Sequence, residues 1–342
     1  MSPADRPDVS EAAEAADVDM PSLLESVEEA ILGGPRRYTP AEVSERADLP
    51  RDEARGLWRA LGFPTVGDDE VMFNDADIEA LKQMRALAEF GFADESLRLA
   101  VARLFGQTFS RLASYQGQLL LEEIARHPEL LSSGDRLIEL VEEVTPRLEQ
   151  LQGYAWRRQL AAYLARMAAQ GPDELGAPTA PVAIGFADMS GFTALTRKAT
   201  EMELRELLDC FESIATEVVG DHGGRIVKTI GDEVLFQVDD AGEGALVALE
   251  LLERAEADDR LPELRAGLAY GPVISRLGDV YGSTVNIASR LTSLSRPGWI
   301  LVDRAMHDQL VDDPRFYLKS RRPESVRGFN HLHPWRLRRA GR

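Results

Sequence analysis

The sequence predicts a two-part chain of α+β class, an all-α segment followed by a sheet-bearing one. Three observations predict it. From Ser22 to Gln170 apolar residues recur at three- and four-residue spacing, as in Leu97, Val101, Leu104 and Phe105, and again in Leu137, Leu140, Val141, Val144 and Leu148. Residues 171–181 then carry three prolines and two glycines in eleven positions, the composition of a linker. Beyond it, short apolar runs bounded by Gly-containing turns alternate with amphipathic stretches.

Taken in order, residues 1–20 read as a disordered acidic lead-in. Residues 21–170 read as a helical domain, in which Pro146 is expected to kink or divide the segment from about Gly134 to Gln170. Residues 182–342 form the α+β part. Val182–Ala187 reads as a strand and Glu201–Val219 as a helix. Gly224–Lys228 and Val234–Val238 read as a hairpin with Gly231-Asp232 in the turn, and Ala241–Ala257 as a second helix. Leu264–Ala269 and Val273–Leu277 follow as strands, Thr284–Ser295 as a helix, Trp299–Val302 as a strand and Arg304–Leu310 as a helix, with two short strands after them. The order βαββαβ, with helices on one face of a largely antiparallel sheet, is a ferredoxin-like α+β core with additions.

The 342 residues carry 39 Lys and Arg against 58 Asp and Glu, a net charge of −19. That balance argues against a broad nucleic-acid surface, whose footprint is basic. The concentrated basic run Arg336-Leu-Arg338-Arg339-Ala-Gly-Arg342 is expected to be a solvated end. A single cysteine, Cys210, excludes an intrachain disulfide framework. No apolar stretch approaches the ~20 residues of a membrane helix, and the acidic start lacks the order of a signal peptide. A cytoplasmic location is expected.

Chemistry concentrates in the second part. Asp188 lies in Phe186-Ala-Asp188-Met-Ser-Gly191-Phe192-Thr193 and Asp232 in Lys228-Thr-Ile-Gly231-Asp232-Glu233, each where an apolar run breaks at a Gly-containing turn. Taken singly, either would be a cap or turn aspartate. Brought together, two carboxylates suit a pair of divalent cations, because Mg²⁺ is held by one or two carboxylates plus substrate phosphates. Such a pair serves in-line displacement at phosphorus. Met189–Thr193, between strand and helix, offers backbone N–H groups to phosphate oxygens. Asn286 and Arg290 stand four residues apart on one helical face. Phosphoryl or nucleotidyl transfer is the chemistry these residues predict.

Residues 182–342 resemble the class III nucleotidyl cyclase catalytic domain. Four segments carry the resemblance in order: Phe186–Thr193, Lys228–Asp232, Asp279–Asn286 and Ala288-Ser-Arg290. The resemblance implies Asp188 and Asp232, with the backbone of Met189, as ligands of two Mg²⁺ or Mn²⁺ ions. It implies Lys228 and Asp279 as the pair that recognises adenine, where guanine-selective members carry Glu and a small residue or Cys. It implies Asn286 on the ribose, Arg290 at the transition state, Gly191, Phe192 and Thr193 along the phosphates, and Arg327 on the triphosphate. ATP conversion to cyclic AMP in a head-to-tail homodimer with shared sites follows as the expected function. A guanylate or relaxed-specificity cyclase is the alternative. Only six residues, 273–278, separate Gly271-Pro272 from Asp279, so the arm that embraces the partner is short. Part of the dimerisation is then expected from the helical domain.

In that helical domain, Tyr38–Pro50 followed by Ala54–Leu61 has a helix-turn-helix cadence, faintly similar to the start of MerR-type regulators. A nucleotide-binding transcriptional regulator is a second alternative. Few basic residues stand on the second helix, which favours a helical regulatory domain, with room for a small or apolar effector, over a DNA reader. The layout resembles bacterial class III cyclases whose helical amino-terminal half holds the catalytic pair inactive, and that resemblance implies autoinhibition. The five histidines, His127, His222, His307, His331 and His333, show no zinc spacing.

Overall fold

The computed structural model describes residues 19–90, 94–127, 129–132, 134–170, 180–326 and 329–341. Expectations for residues 1–18, for most of the linker and for Arg327 lie outside the described residues. The chain divides into two compact units between Arg166 and Met167.

The first unit is built from helices α1 (Met20–Leu32), α2 (Pro40–Ala47), α3 (Arg51–Ala60), α4 (Asp75–Ala86), α5 (Glu95–Arg126), α6 (Glu129–Ser132) and α7 (Gly134–Gln170). Local chemistry sets their ends. Thr39 and Glu42 close a capping box on α2, and Asn74 and Asp77 close another on α4. The Asn74 amide also donates to Leu32 O and Gly34 O, tying α4 to the end of α1. Val43, Ala47, Leu57, Phe73, Ile78 and Ala102 form one core, Leu23, Val27, Ile124, Leu137 and Val141 another. A bridge between Tyr38 and Phe73 pins the helix-turn-helix segment at its base. Pro146 does not divide α7, which runs unbroken for 37 residues. A proline removes one backbone donor and crowds one carbonyl, a local defect that the turns on either side outlast.

The second unit holds a seven-stranded sheet. Its strands are β1 (Val182–Met189), β2 (Arg225–Ile230), β3 (Glu233–Val238), β4 (Leu264–Gly271), β7 (Ile300–Val302), β8 (Phe316–Ser320) and β11 (Trp335–Arg339), in the order β2-β3-β1-β4-β7-β11-β8. Two small hairpins stand apart, β5 (Ile274–Arg276) with β6 (Asp279–Tyr281), and β9 (Glu324–Val326) with β10 (Phe329–Leu332). The helices are α8 (Phe192–Leu195), α9 (Glu201–Asp221), α10 (Ala241–Ala257), α11 (Ser283–Leu294) and α12 (Arg304–Leu310). The order β2-β3-β1-β4, antiparallel throughout, is the expected ferredoxin-like core, and β7 extends it in parallel with β4.

Two expectations are corrected. The helices cover both faces. Ala183, Ala187 and Met189 pack with Phe211 of α9 and Ala245 and Ala248 of α10, whereas Val182, Ile184 and Phe186 pack with Ala288 of α11. All eight residues of β1 are buried, and a strand buried on both faces loses the alternation that would have revealed the second layer. The basic run is not a solvated end either. Trp335–Arg339 is a sheet strand whose Trp335 and Leu337 enter the core, while Arg336 and Arg338 take the intervening positions.

Candidate active site

Asp188 is the last residue of β1 on the face that α11 covers, continuing the alternation of Ile184 and Phe186. Its cross-strand neighbours are Glu233 on β3 and Arg265 on β4. The Arg265 guanidinium closes on it, with Nε donating to Oδ2 at 2.7 Å and Nη2 at 2.5 Å. Asp232 reaches the same place from the β2–β3 turn. Gly231 makes that turn with φ +63°, which a side chain would strain, and Met189 N donates to Asp232 O at 3.1 Å to hold it against the end of β1.

The cluster is short of positive charge. Burial raises the Asp232 carboxyl above its ordinary range, and the neighbouring Asp188 charge adds to it. Burial, then the charges of Asp188 and Asp232, push Glu233 up to about 7. Ser190 Oγ, two residues beyond Asp188, is buried without a hydrogen-bond partner among the described residues. Among the described residues no group of three His, Cys, Asp or Glu side chains is arranged to hold an ion. The donor set nonetheless fits Mg²⁺ or Mn²⁺: hard oxygen ligands, two carboxylates and a surplus of negative charge, with further oxygens left to a phosphate-bearing substrate.

Lys228 on β2 and Asp279 at the start of β6 are brought together, with Nζ donating to Oδ2 at 2.6 Å. Val280 N donates to the other oxygen of Asp279 at 2.8 Å. Burial opposes the Asp279 charge, but Lys228 and this N–H outweigh it and hold the carboxyl below its ordinary value. The β5–β6 turn that delivers Asp279 is tight, with Leu277 at φ +53° and Gly278 at φ +81°.

Asn286 and Arg290 sit one turn apart on α11, which is seated closely. A Cβ on Gly267 of β4 would come within 2.2 Å of Thr292 N, so only glycine allows this approach. Thr284 Oγ1 donates to Pro272 O at 2.8 Å and fixes the helix start. Asn286 is exposed, Arg290 half-buried, and neither side chain has a partner among the described residues. Gly191 caps the short α8 in the left-handed conformation, ahead of Phe192 and Thr193.

Sequence reasoning missed Arg265 and Ser190. A lone arginine in an apolar strand gives no local signal, because its partner lies 77 residues away. Ser190 stands inside the Phe186–Thr193 motif, where a serine gives no signal that its hydroxyl is buried.

Residues 176–338 match the adenylate and guanylate cyclase catalytic domain, and residues 10–162 match the adenylate cyclase regulatory domain. An adenylate cyclase of Streptomyces coelicolor is 38% identical over 361 residues, covering 98% of this chain and 94% of its own. The chain belongs to the adenylate cyclase family. Two further adenylate cyclases agree. That of Glutamicibacter nicotianae is 38% identical over 328 residues, covering 91% of this chain and 81% of its own. That of Streptomyces griseus is 42% identical over 286 residues, covering 83% and 71%. In this family member the carboxyl-terminal match contains Asp188, Asp232, Lys228, Asp279, Asn286 and Arg290 together.

Proposed function

We propose that the chain acts as a homodimer that converts ATP to 3′,5′-cyclic AMP and diphosphate, under control of its helical unit. The observation that carries the reading is the Lys228–Asp279 pair at 2.6 Å. It places a donor beside an acceptor, the complement of adenine's ring N1 and exocyclic N6 amino group. The same chain supplies the two convergent carboxylates, and Asn286 and Arg290, which have no partner among the described residues.

Each residue has a role its chemistry supports. Asp188 and Asp232, with the Met189 backbone, would hold two divalent cations, and Arg265 would release Asp188 to do so. When bound, such ions polarise the attacking 3′-hydroxyl and neutralise charge on the phosphates. Asn286 orients the ribose so that its 3′-oxygen faces the α-phosphorus in line with the departing diphosphate. Arg290 presents a fixed guanidinium where negative charge develops on the pentavalent centre, and such preorganised charge supplies the largest share of many rate enhancements. Backbone N–H groups of Gly191, Phe192 and Thr193 receive phosphate oxygens, and Arg327 the triphosphate end. The carboxylates of one protomer would face the Lys–Asp and Asn–Arg groups of its partner.

Cyclic nucleotide formation from ATP and from GTP, with Mn²⁺ and with Mg²⁺, tests this on the full chain beside its Asp232→Ala variant. Cyclic AMP that disappears in the variant supports the reading. Guanine also offers an acceptor beside a donor at O6 and N1, so equal turnover of GTP would replace it with a relaxed-specificity cyclase. No turnover from the full chain or from residues 176–342 would sink it, and specific retardation of DNA in a gel would then favour a transcriptional regulator.

A further inference from the structure

The arginines of β11 have no role in the chemistry above, yet the fold does not leave them solvated. Arg336 lies over the indole of Trp299, its guanidinium carbon 3.9 Å from the ring centroid. Arg321, from the loop after β8, reaches the same ring at 4.8 Å, and Arg296, before β7, at 5.2 Å. Three guanidinium groups therefore converge on one side chain. Arg338 follows two residues along the strand, on the same face as Arg336, and Lys319 is the cross-strand neighbour of Arg336 on β8.

A cluster of this kind in a chain of net charge −19 calls for a counter-charge. Among the described residues none of Arg296, Arg321, Arg336 and Arg338 has a carboxylate partner. The Nε atoms of Arg336 and Arg338 are both buried without a hydrogen-bond partner among the described residues. A buried, unsatisfied donor costs about 1–3 kcal/mol, more when charged, so neither guanidinium has its charge compensated from within the fold, and the terminal nitrogens are the groups left to meet an acceptor. A cavity of about 430 Å³ adjoins them, lined by Trp299, Arg336, Arg338 and Arg339. The acidic groups facing it are Glu253, Glu256 and Glu263. Glu253 is taken by Arg339 through two hydrogen bonds of 2.8 and 3.0 Å, and the other two stand outside ion-pair reach of the four unpaired arginines.

We propose that Arg296, Arg321 and Arg336, gathered on Trp299, form with the neighbouring Arg338 of the same strand a binding site for a phosphate-class oxyanion, separate from the catalytic groups. Guanidinium groups match the tetrahedral oxygens of phosphate with paired N–H donors. Four positive charges ask for a multiply charged anion, since a single carboxylate would leave most of the repulsion in place. The oxyanion could be free phosphate or diphosphate, or the phosphate of a nucleotide, and the three probes below separate these.

The test is calorimetric titration of the full chain with sodium phosphate, sodium diphosphate and AMP at low ionic strength, with tryptophan emission followed in parallel. The expected result is saturable binding that shifts the emission, with the shift absent in Trp299→Phe. Affinity should fall about tenfold or more in Arg321→Gln, the loss of one charge-assisted bond, and stay unchanged in Arg290→Ala. Tightest binding of diphosphate would mark a free oxyanion, and tightest binding of AMP a nucleotide phosphate. Should Arg336→Gln fail to fold, Arg321→Gln and Arg296→Gln, outside the sheet strands, carry the test. Absence of saturable binding by all three probes overturns the proposal, and so does binding that survives Arg321→Gln and Arg296→Gln or is lost in Arg290→Ala alone.

Discussion

Arg290 is unpaired among the described residues although half-buried, which is what a group reserved for charge that appears only during reaction requires. Replacing it with alanine removes one preorganised donor. We expect kcat to fall about 10²–10³-fold with KM little changed, read from steady-state kinetics with ATP. Asp232→Ala should do more. Several kcal/mol of transition-state charge stabilisation would go with the proposed metal ions, so a loss of about three orders of magnitude or more is expected. Asp279→Ala belongs with a different signature. It strips Lys228 of its partner and should lower kcat/KM for ATP about tenfold while narrowing the preference for ATP over GTP. A variant that lost activity equally with both nucleotides would show that Asp279 serves the loop and not the base. As candidates, Asp232 and Arg290 were legible from residue types and spacing, and Asp279 from the resemblance that its motif carries, since each sits in a short local motif. Arg265 was not, because its meaning comes only from a strand pairing that brings it beside Asp188.

At the scale of elements, the seating of α11 on β4 is the contact on which Asn286 and Arg290 depend. Gly267→Ala would drive a methyl into the backbone of Thr292. Overpacking of this kind costs about 1–3 kcal/mol, so the denaturant midpoint of the second unit should fall, and kcat with it. A second element-scale device is His222 at the end of α9. Its ring bonds Glu243 at 2.7 Å and Glu250 at 3.1 Å, both on α10. Burial alone would lower its pKa, but the two carboxylates outweigh it and the folded value is raised. The stabilisation is therefore fully present below the ordinary imidazole value of 6.5 and is lost as pH rises through the folded value. Melting temperatures across that window should decline in the wild type more than in His222→Gln, and parallel curves would refute the coupling. Elements with strong local signals were readable, the helix Ala241–Ala257 to the residue. Those that depend on tertiary context were not. The β11 arginines read as solvated because charge usually is, and only the pairing with β7 and β8 shows them laid across a sheet.

At the scale of the whole molecule, each chain carries both halves of the proposed site, so two inactive chains can repair one another. Asp232→Ala destroys the carboxylate side and leaves the Asn286 and Arg290 side intact, while Arg290→Ala does the reverse. In a head-to-tail pair of the two variants, one site combines both defects and the other combines both intact halves. If equal amounts of the two exchange freely, half of the dimers are mixed and each mixed dimer has one working site, so the mixture should recover about a quarter of wild-type activity. Dilution should abolish the recovery, since it separates chains. Activity in the mixture no greater than the mean of the two variants measured alone would mean that the site is built within one protomer. The Lys228–Asp279 pair would then have to close over the carboxylates of its own chain.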